Sequence, residues 1–241
     1  MQPVVLITRP DPDATALAEE IRLRWPALRV LVSPQQEIVY TPLPTPEPGE
    51  ELIFTSRNGV RAWIRSGLTG ATRAYCVGDA TAEAAQAAGF SAISAGGTAE
   101  DLGKLIRKEA PTARLVHLRG AVHRGDLAER LSAEGLAVRA VTAYRQQEKP
   151  LSAEALGVMS GEDPVLVPLY SPRSARLFAT AWNGSAPLMI AAISPVIAGI
   201  VAPLRPRVLE LAAQPNGGTM LVALAGLVSR SHQLEAGRGA V

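Results

Sequence analysis

Several short apolar runs in this chain end in small polar residues, just where a helical pattern begins. Ile53-Phe54 leads into Thr55, Ser56, Arg57 and Asn58. Val77 leads into Gly78, Asp79, Ala80 and Thr81, and Leu118 into Arg119 and Gly120. Leu169-Tyr170 leads into Ser171, Ile193 into Ser194, and Ile7 into Thr8 and Arg9. Two chemistries fit such residues. Ser, Thr and Asn can cap a helix by accepting from its orphan N–H groups. Alternatively, those N–H groups and the positive end of the helix dipole can receive a carboxylate or phosphate. Several such ends rimming one cleft would suit a polyanion. Gly78 would let a ligand approach the backbone closely. Arg9 and Arg119, at equivalent strand ends, either cap the surface or pair with anionic groups. Tyr144 closes a later strand; it is either a packing residue or a donor of a proton or hydrogen bond to a leaving group.

Other chemistries lack their residues. His117, His123 and His232 have no metal-ligand spacing relative to one another or to Cys76. His117 alternates with apolar residues and reads as structural, and Cys76 as a small buried hydrophobe. A Gly-Lys-Ser/Thr phosphate loop, a Gly-x-Gly-x-x-Gly turn after the first strand and a Gly-x-Ser-x-Gly elbow are all missing. An enzyme built on this chain would therefore be expected to work without metal, nucleotide or covalent nucleophile.

The elements that must position these residues alternate regularly. Strand patterns at Val4–Thr8, Arg29–Val32, Leu52–Phe54, Ala74–Val77, Ala92–Ser94, Leu115–Leu118, Val138–Tyr144, Val165–Leu169, Leu188–Ala192 and Val208–Leu211 are separated by helical ones. The helices are expected at Asp13–Arg24, Arg57–Ser66, Ala80–Ala88, Ala99–Lys108, Asp126–Ala133, Ser152–Val158, Ser174–Thr180, Pro195–Val201 and Gly218–Val228, with a frayed polar tail from Ser229. Thr98, followed by Asp101, loosely fits a capping pair. Ser33–Glu50 carries Pro34, Pro42, Pro44, Pro46 and Pro48 and reads as an extended crossover. The fold class is α/β, with mostly parallel sheets flanked by helices. Ligands of such folds bind beyond the carboxyl ends of the strands.

The pattern also partly repeats. Thr8-Arg9-Pro10 returns as Leu118-Arg119-Gly120 at an offset of 110, Thr55-Ser56-Arg57-Asn58-Gly59 as Tyr170-Ser171-Pro172-Arg173-Ser174 at 115, and Val77-Gly78-Asp79 as Ile193-Ser194-Pro195 at 116. Two similar units of about 110 residues are expected. Ser33–Tyr40 and Ala143–Glu148 read as connectors. The middle unit, 37–146, would then be inserted into a discontinuous one made of 1–36 and 147–241, with a cleft between the two.

Lys and Arg total 24 and Asp and Glu 22, leaving a net charge of +2. That balance excludes nucleic-acid binding driven by a strong positive field. Of the 24 cations 21 are Arg, which suits bidentate contact with carboxylates or phosphates. One cysteine rules out a disulfide framework. No secretory leader and no membrane span are expected, and a soluble cytoplasmic protein is the default.

Taken together and in order, these motifs resemble the uroporphyrinogen-III synthase family of tetrapyrrole biosynthesis. The resemblance rests on Leu6-Ile7-Thr8-Arg9-Pro10, Ile53-Phe54-Thr55-Ser56-Arg57-Asn58-Gly59-Val60, Val77-Gly78-Asp79-Ala80-Thr81-Ala82, Leu118-Arg119-Gly120, Ala143-Tyr144-Arg145, Ala192-Ile193-Ser194-Pro195-Val196-Ile197-Ala198 and Ala213-Gln214-Pro215. It implies two α/β domains joined by a two-stranded connector, with the middle domain inserted into the other. It implies a substrate, the linear tetrapyrrole hydroxymethylbilane, which carries eight carboxylates and is cyclised to uroporphyrinogen III without a cofactor. The family's candidate acid matches Tyr144, and its members hold the carboxylates largely through main-chain N–H groups. A monomer in transient contact with the preceding deaminase is also implied. The chain departs from the family at Ser194 and Ile197, where many members carry glycine and threonine, so no threonine contact is carried over at Ile197. Tyr170 and Pro172 likewise set the Ser171 segment apart.

Two readings compete with this one. A two-domain module could close on a small anion without chemistry, but would be expected to carry an added effector or DNA-binding segment. A sugar- or nucleotide-processing enzyme is disfavoured by the missing phosphate loops.

Overall fold

The structure is a computed structural model that describes residues 2–122 and 125–238; His123 and the end of the tail lie outside the described residues. In chain order the strands are β1 (Val4–Ile7), β2 (Arg29–Val32), β3 (Gln36–Tyr40), β4 (Glu51–Phe54), β5 (Arg73–Cys76), β6 (Ser91–Ser94), β7 (Leu115–Gly120), β8 (Val138–Glu148), β9 (Val165–Leu169), β10 (Leu188–Ala192) and β11 (Val208–Leu211). The helices are α1 (Asp13–Arg24), α2 (Arg57–Ser66), α3 (Asp79–Ala87), α4 (Ala99–Glu109), α5 (Leu127–Ala133), α6 (Ala153–Met159), α7 (Pro172–Ala181), α8 (Pro195–Val201) and α9 (Gly217–Arg238). The chain divides into two compact units, Met1–Glu37 with Glu148–Val241, and Ile38–Gln147.

The first unit is built on a parallel sheet in the order β11-β10-β9-β1-β2. All five residues of β9 and of β10 are buried, as expected of strands covered on both faces. Alternate side chains feed two cores. Val4 and Leu6 pack with Ala155, Ala175, Phe178 and Ile197, from α6, α7 and α8, while Val5 and Ile7 pack with Leu17, Ile21, Leu224 and Leu227, from α1 and α9. The β1–β9 pairing stops after Val5↔Leu166. Two residues further on stands Pro168, which has no N–H to continue a ladder.

In the second unit the order is β3-β8-β7-β4-β5-β6. Strands β4 to β8 are parallel. Thr41 N–H donates to Ala143 C=O, and Lys149 N–H to Gln35 C=O, so β3 runs antiparallel to the end of β8. Leu52, Phe54, Val116 and Leu118 meet Val60, Trp63 and Ala85, from α2 and α3; Ile53, Tyr75 and Leu115 meet Leu102, Ile106, Leu127 and Leu131, from α4 and α5.

The sequence repeat becomes intelligible from these orders. Setting β7 on β1, β4 on β9 and β5 on β10, as the offsets require, lays β6-β5-β4-β7-β8 onto β11-β10-β9-β1-β2. Apart from β3, the two sheets share one layout and differ in where the chain enters it: at β1 in the first unit, and at β4, the counterpart of β9, in the second.

Three expectations need correction. The proline-rich crossover contains a strand, β3, whose backbone groups find partners in β8. The tail from Ser229 does not fray there, because α9 continues to Arg238, and Ser231, fully buried, donates its hydroxyl to Val228 C=O. Thr98 and Asp101 form a complete reciprocal capping box rather than a loose one.

At the amino end of the second sheet an ion pair between the buried Glu50 and the part-exposed Arg139 ties β8 to the approach to β4. Glu50, 2% exposed, accepts from Arg139 Nε at 2.9 Å and Nη2 at 2.8 Å, and from Glu47 N–H. The Arg139 hydrogen bond holds the Glu50 carboxyl below its ordinary value of 4.5, against the opposing effect of burial. A lowered folded pKa means the contribution is present above the unfolded value and is lost as pH falls through the folded one. Chemical denaturation across pH 3–7 (roughly the carboxylate range) should therefore show Glu50-dependent stability declining on acidification. Arg139→Met, which leaves the Glu50 carboxylate only the Glu47 N–H, should cost about 1–2 kcal/mol at neutral pH.

Candidate functional site

The connectivity places a switch in each sheet. In the second unit β4, β5 and β6 proceed one way from the middle and β7 and β8 the other, so the crevice falls between the carboxyl ends of β4 and β7. In the first unit the corresponding crevice falls between β9 and β1. The polar strand-end residues sit at these points.

In the second unit, Phe54 pairs with Leu118, so Thr55 and Ser56 emerge beside Arg119 and Gly120. Gly59 enforces that proximity, since a Cβ there would stand 2.8 Å from Leu118 C=O. Only glycine allows α2 to lie so close to the end of β7. Beyond a register shift at Arg119/Gly120, Gly120 pairs with Tyr144. A Cβ on Gly120 would come within 2.9 Å of the Tyr144 ring and 3.2 Å of its hydroxyl. Tyr144 is 7% exposed. Burial is the main cause of its raised pKa, which the nearby Ser56 side chain partly offsets. The phenol is therefore protonated through the neutral range and can donate.

Around this pair the other residues are occupied in specific ways. Ser56 caps α2, accepting from Asn58 N–H at 3.2 Å, and Asn58 Oδ1 accepts from Arg61 at 2.9 Å. Arg57 is half-buried at the first position of α2. Thr55 Oγ1 lies 3.1 Å from His117 Nε2. The Arg119 guanidinium pairs with Glu129 at 3.3 Å. Gly78 opens α3 with an extended backbone (φ −154°), and nothing lies within 4 Å of where its Cβ would be. Its glycine is therefore required neither by backbone strain nor by packing against the protein. Asp79 places a carboxylate at the same helix start, where it accepts from Ser94 Oγ at 2.6 Å. Thr81, one turn on, is buried.

The first unit repeats the arrangement with different side chains. Arg9 pairs with Asp13 at 3.0 Å and lies 4.1 Å above the Tyr170 ring. Tyr170 is thus the aromatic seat of Arg9, which accounts for its presence where the second unit has Thr55. Ser171 caps α7, accepting from Ser174 N–H. Ser194 stands at the start of α8 without a side-chain cap bond. Ile197 is fully buried in the core, so a polar contact there has no counterpart in this chain. Capping therefore accounts for the Ser56 and Ser171 hydroxyls and leaves Ser194 and Gly78 as helix starts without a side-chain cap. Among the described residues, no group of three or more His, Cys, Asp or Glu could hold a metal ion, and no helix is long and apolar enough to cross a membrane.

The protein family described as HEM4, Uroporphyrinogen-III synthase HemD, matches residues 13–221. The chain belongs to the uroporphyrinogen-III synthase family. It is accordingly a lyase of porphyrin biosynthesis with a role in tetrapyrrole cyclisation. Its fold is similar to that of uroporphyrinogen-III synthetase from Helicobacter pylori 26695, with a TM-score of 0.65 and 18% identity over 94% of this chain and 100% of that one. It is also similar to a mutant uroporphyrinogen III synthase from the extremely thermophilic bacterium Thermus thermophilus, with a TM-score of 0.53 and 16% identity over 97% of this chain and 99% of that one. No curated protein matches the chain significantly in sequence.

Three residues packed around the candidate site escaped the sequence reading: Gly59, Gly120 as the floor beneath Tyr144, and His117 as the partner of Thr55. The glycines stood within recognised motifs, but only the sheet order reveals what each must clear. Gly120→Ala tests the floor. The Tyr144 ring must shift to admit a methyl group, so a stability loss of roughly 1–3 kcal/mol is expected, with a changed near-UV circular dichroism signal. An unchanged spectrum and stability would mean that the ring does not rest there.

Proposed function

We propose that this chain converts hydroxymethylbilane into uroporphyrinogen III. Water leaves from the hydroxymethyl group on ring A, ring D is inverted through a spiro intermediate, and the macrocycle closes. The observation carrying this reading is Tyr144, a protonated and buried phenol at the carboxyl edge of its sheet, beside the switch between β4 and β7. Its hydroxyl donates to the departing oxygen as the C–O bond breaks, leaving an azafulvene for attack by ring D.

The eight carboxylates are held by strand ends of both units. Gly78 and Ser194, with no side-chain cap bond, offer main-chain N–H groups; Thr55, Ser56, Arg57, Asn58, Thr81 and Ser171 complete the set, with Arg9 and Arg119. Uncatalysed closure gives the symmetric isomer I, so the protein's main task is to control conformation, by positioning and by excluding water. The bilane passes to a cytoplasmic monomer in transient contact with the preceding deaminase, and no cofactor takes part. The alternative, a module that binds a small anion without chemistry, has no comparable use for a protonated phenol at the strand ends.

A coupled assay with purified deaminase and porphobilinogen tests the reaction: isomer III is expected after oxidation, and isomer I alone would sink the proposal. Tyr144→Phe should stay folded and lose turnover on the order of 100-fold; an unchanged rate removes Tyr144 from the mechanism. Gly78→Ala tests the close approach of substrate. Nothing in the protein meets the added methyl, so the melting temperature should hold while KM rises. An unaltered KM would show that substrate keeps clear of Gly78.

A further inference from the structure

Thr55 Oγ1 and His117 Nε2 lie 3.1 Å apart at the carboxyl end of the second sheet. The register brings them together: Ile53 pairs with His117, and Thr55 follows Ile53 by two residues on the same face. His117 is 4% exposed and stands above an apolar core, since Ile53 and Leu115 pack there with Leu127 and Leu131. Thr55 is half-buried, beside the crevice between β4 and β7. The shared layout shows that the fold does not require an imidazole at this place. At the offset of 110 the first unit carries Ile7, fully buried, and at the offset of 115 Thr55 is matched by Tyr170. One proton lies between the two side chains, and its owner decides what Thr55 can do. A threonine hydroxyl has one proton and two lone pairs, whereas an ionised carboxylate only accepts. With a bare Nε2, Thr55 would donate to the ring and turn lone pairs toward an incoming carboxylate. With its hydrogen on Nε2, the ring donates to Oγ1, and the threonine proton is left to point into the crevice. The separation of 3.1 Å accommodates both senses.

We propose that His117 is a positioning residue that acts through Thr55: it carries its hydrogen on Nε2, donates to Oγ1, and so aims the threonine proton at a substrate carboxylate. The role rests on the reading of Thr55 as one of the groups that hold the bilane. It adds to that site a residue that acts without touching substrate, and it gives a reason for a buried imidazole where the first unit has Ile7.

Nitrogen NMR of the full-length chain, isotopically labelled at histidine, reads the tautomer without recourse to activity. The His117 ring, assigned by its loss in His117→Gln, should show Nε2 as a protonated nitrogen; a bare Nε2 overturns the proposal. In the coupled assay, with hydroxymethylbilane supplied at varied concentration, His117→Leu should raise KM roughly 5- to 10-fold, the worth of one hydrogen bond, with kcat little changed. The amide nitrogen of glutamine reaches the place of Nε2, whereas that of asparagine falls short, near the place of Nδ1. His117→Gln should therefore restore KM and His117→Asn should not. In the Thr55→Val background, His117→Leu should add nothing. A bond that merely tied β7 to the end of β4 would lower the melting temperature of His117→Leu and leave KM alone, and that result overturns the role. So do losses that multiply in the double variant, or equal rescue by His117→Gln and His117→Asn. Thr55→Val at unchanged KM instead overturns the reading of Thr55 as a substrate contact, and the positioning role falls with it. Isomer I alone from the unaltered chain overturns the proposed reaction itself, whatever the tautomer, and takes the role with it.

Discussion

Parallel strands all end at one edge, and there each must turn into a helix whose first N–H groups have no intrahelical acceptor. The rest of this structure depends on how those groups are satisfied. At α2 and α7 the chain uses its own serines. At α3 and α8, Gly78 and Ser194 make no side-chain cap bond. One backbone problem is thus solved in two ways along the same edges, internally at one helix and without a side chain at its neighbour. A ligand rich in carboxylates has its best opportunities at the second kind.

The shared layout of the two sheets explains why this pattern occurs twice. Each unit has a central strand followed by a helix capped by serine, and a neighbouring strand with an arginine at or just past its carboxyl end. Because the chain enters the two layouts at different strands, similar segments appear in a different order in each unit. Divergence is concentrated at the switch points. Tyr170 supports Arg9, whereas Thr55 reaches His117. Gln36 donates to Ser174, itself bonded to the cap Ser171, whereas in the second unit Tyr144 rests against Gly120. The scaffold is repeated, and its switch points carry different side chains.

Much of this was legible in the residues, for reasons that are physical. The apolar runs of β9 and β10 could be read as strands because both of their faces are buried, and α1 because Leu17 and Ile21 recur at helical spacing on a single buried face. β3 was not legible, since five residues among prolines become a strand only when β8 supplies the partners. The end of α9 was hidden by its polar composition. In the site, the Arg9–Asp13 pair is a one-turn contact that spacing could have exposed. The contact of Tyr144 with Gly120 depends on β7 and β8 lying side by side, and on a register shift that periodicity does not encode. Capping and anion binding draw on the same residue types, so only geometry could separate Ser56 and Ser171 from Ser194.

That separation bears on how so nearly neutral a chain would hold a ligand with eight carboxylates. A net charge of +2 provides no field to gather such a molecule. The two arginines best placed to help are already paired, Arg9 with Asp13 and Arg119 with Glu129. Each is shielded, with its side chain 16–17% exposed, so a substrate carboxylate must displace or share an existing partner. The net gain from such an exchange is small, because one charge-assisted bond replaces another. Main-chain N–H groups at a helix start carry partial positive charge and are held in place by the sheet beneath them, although at α3 the Asp79 carboxylate shares that end. Binding spread over many such groups would order a flexible bilane without fixing it through any single strong contact, which suits the proposed reaction, in which one ring is inverted while the others are held.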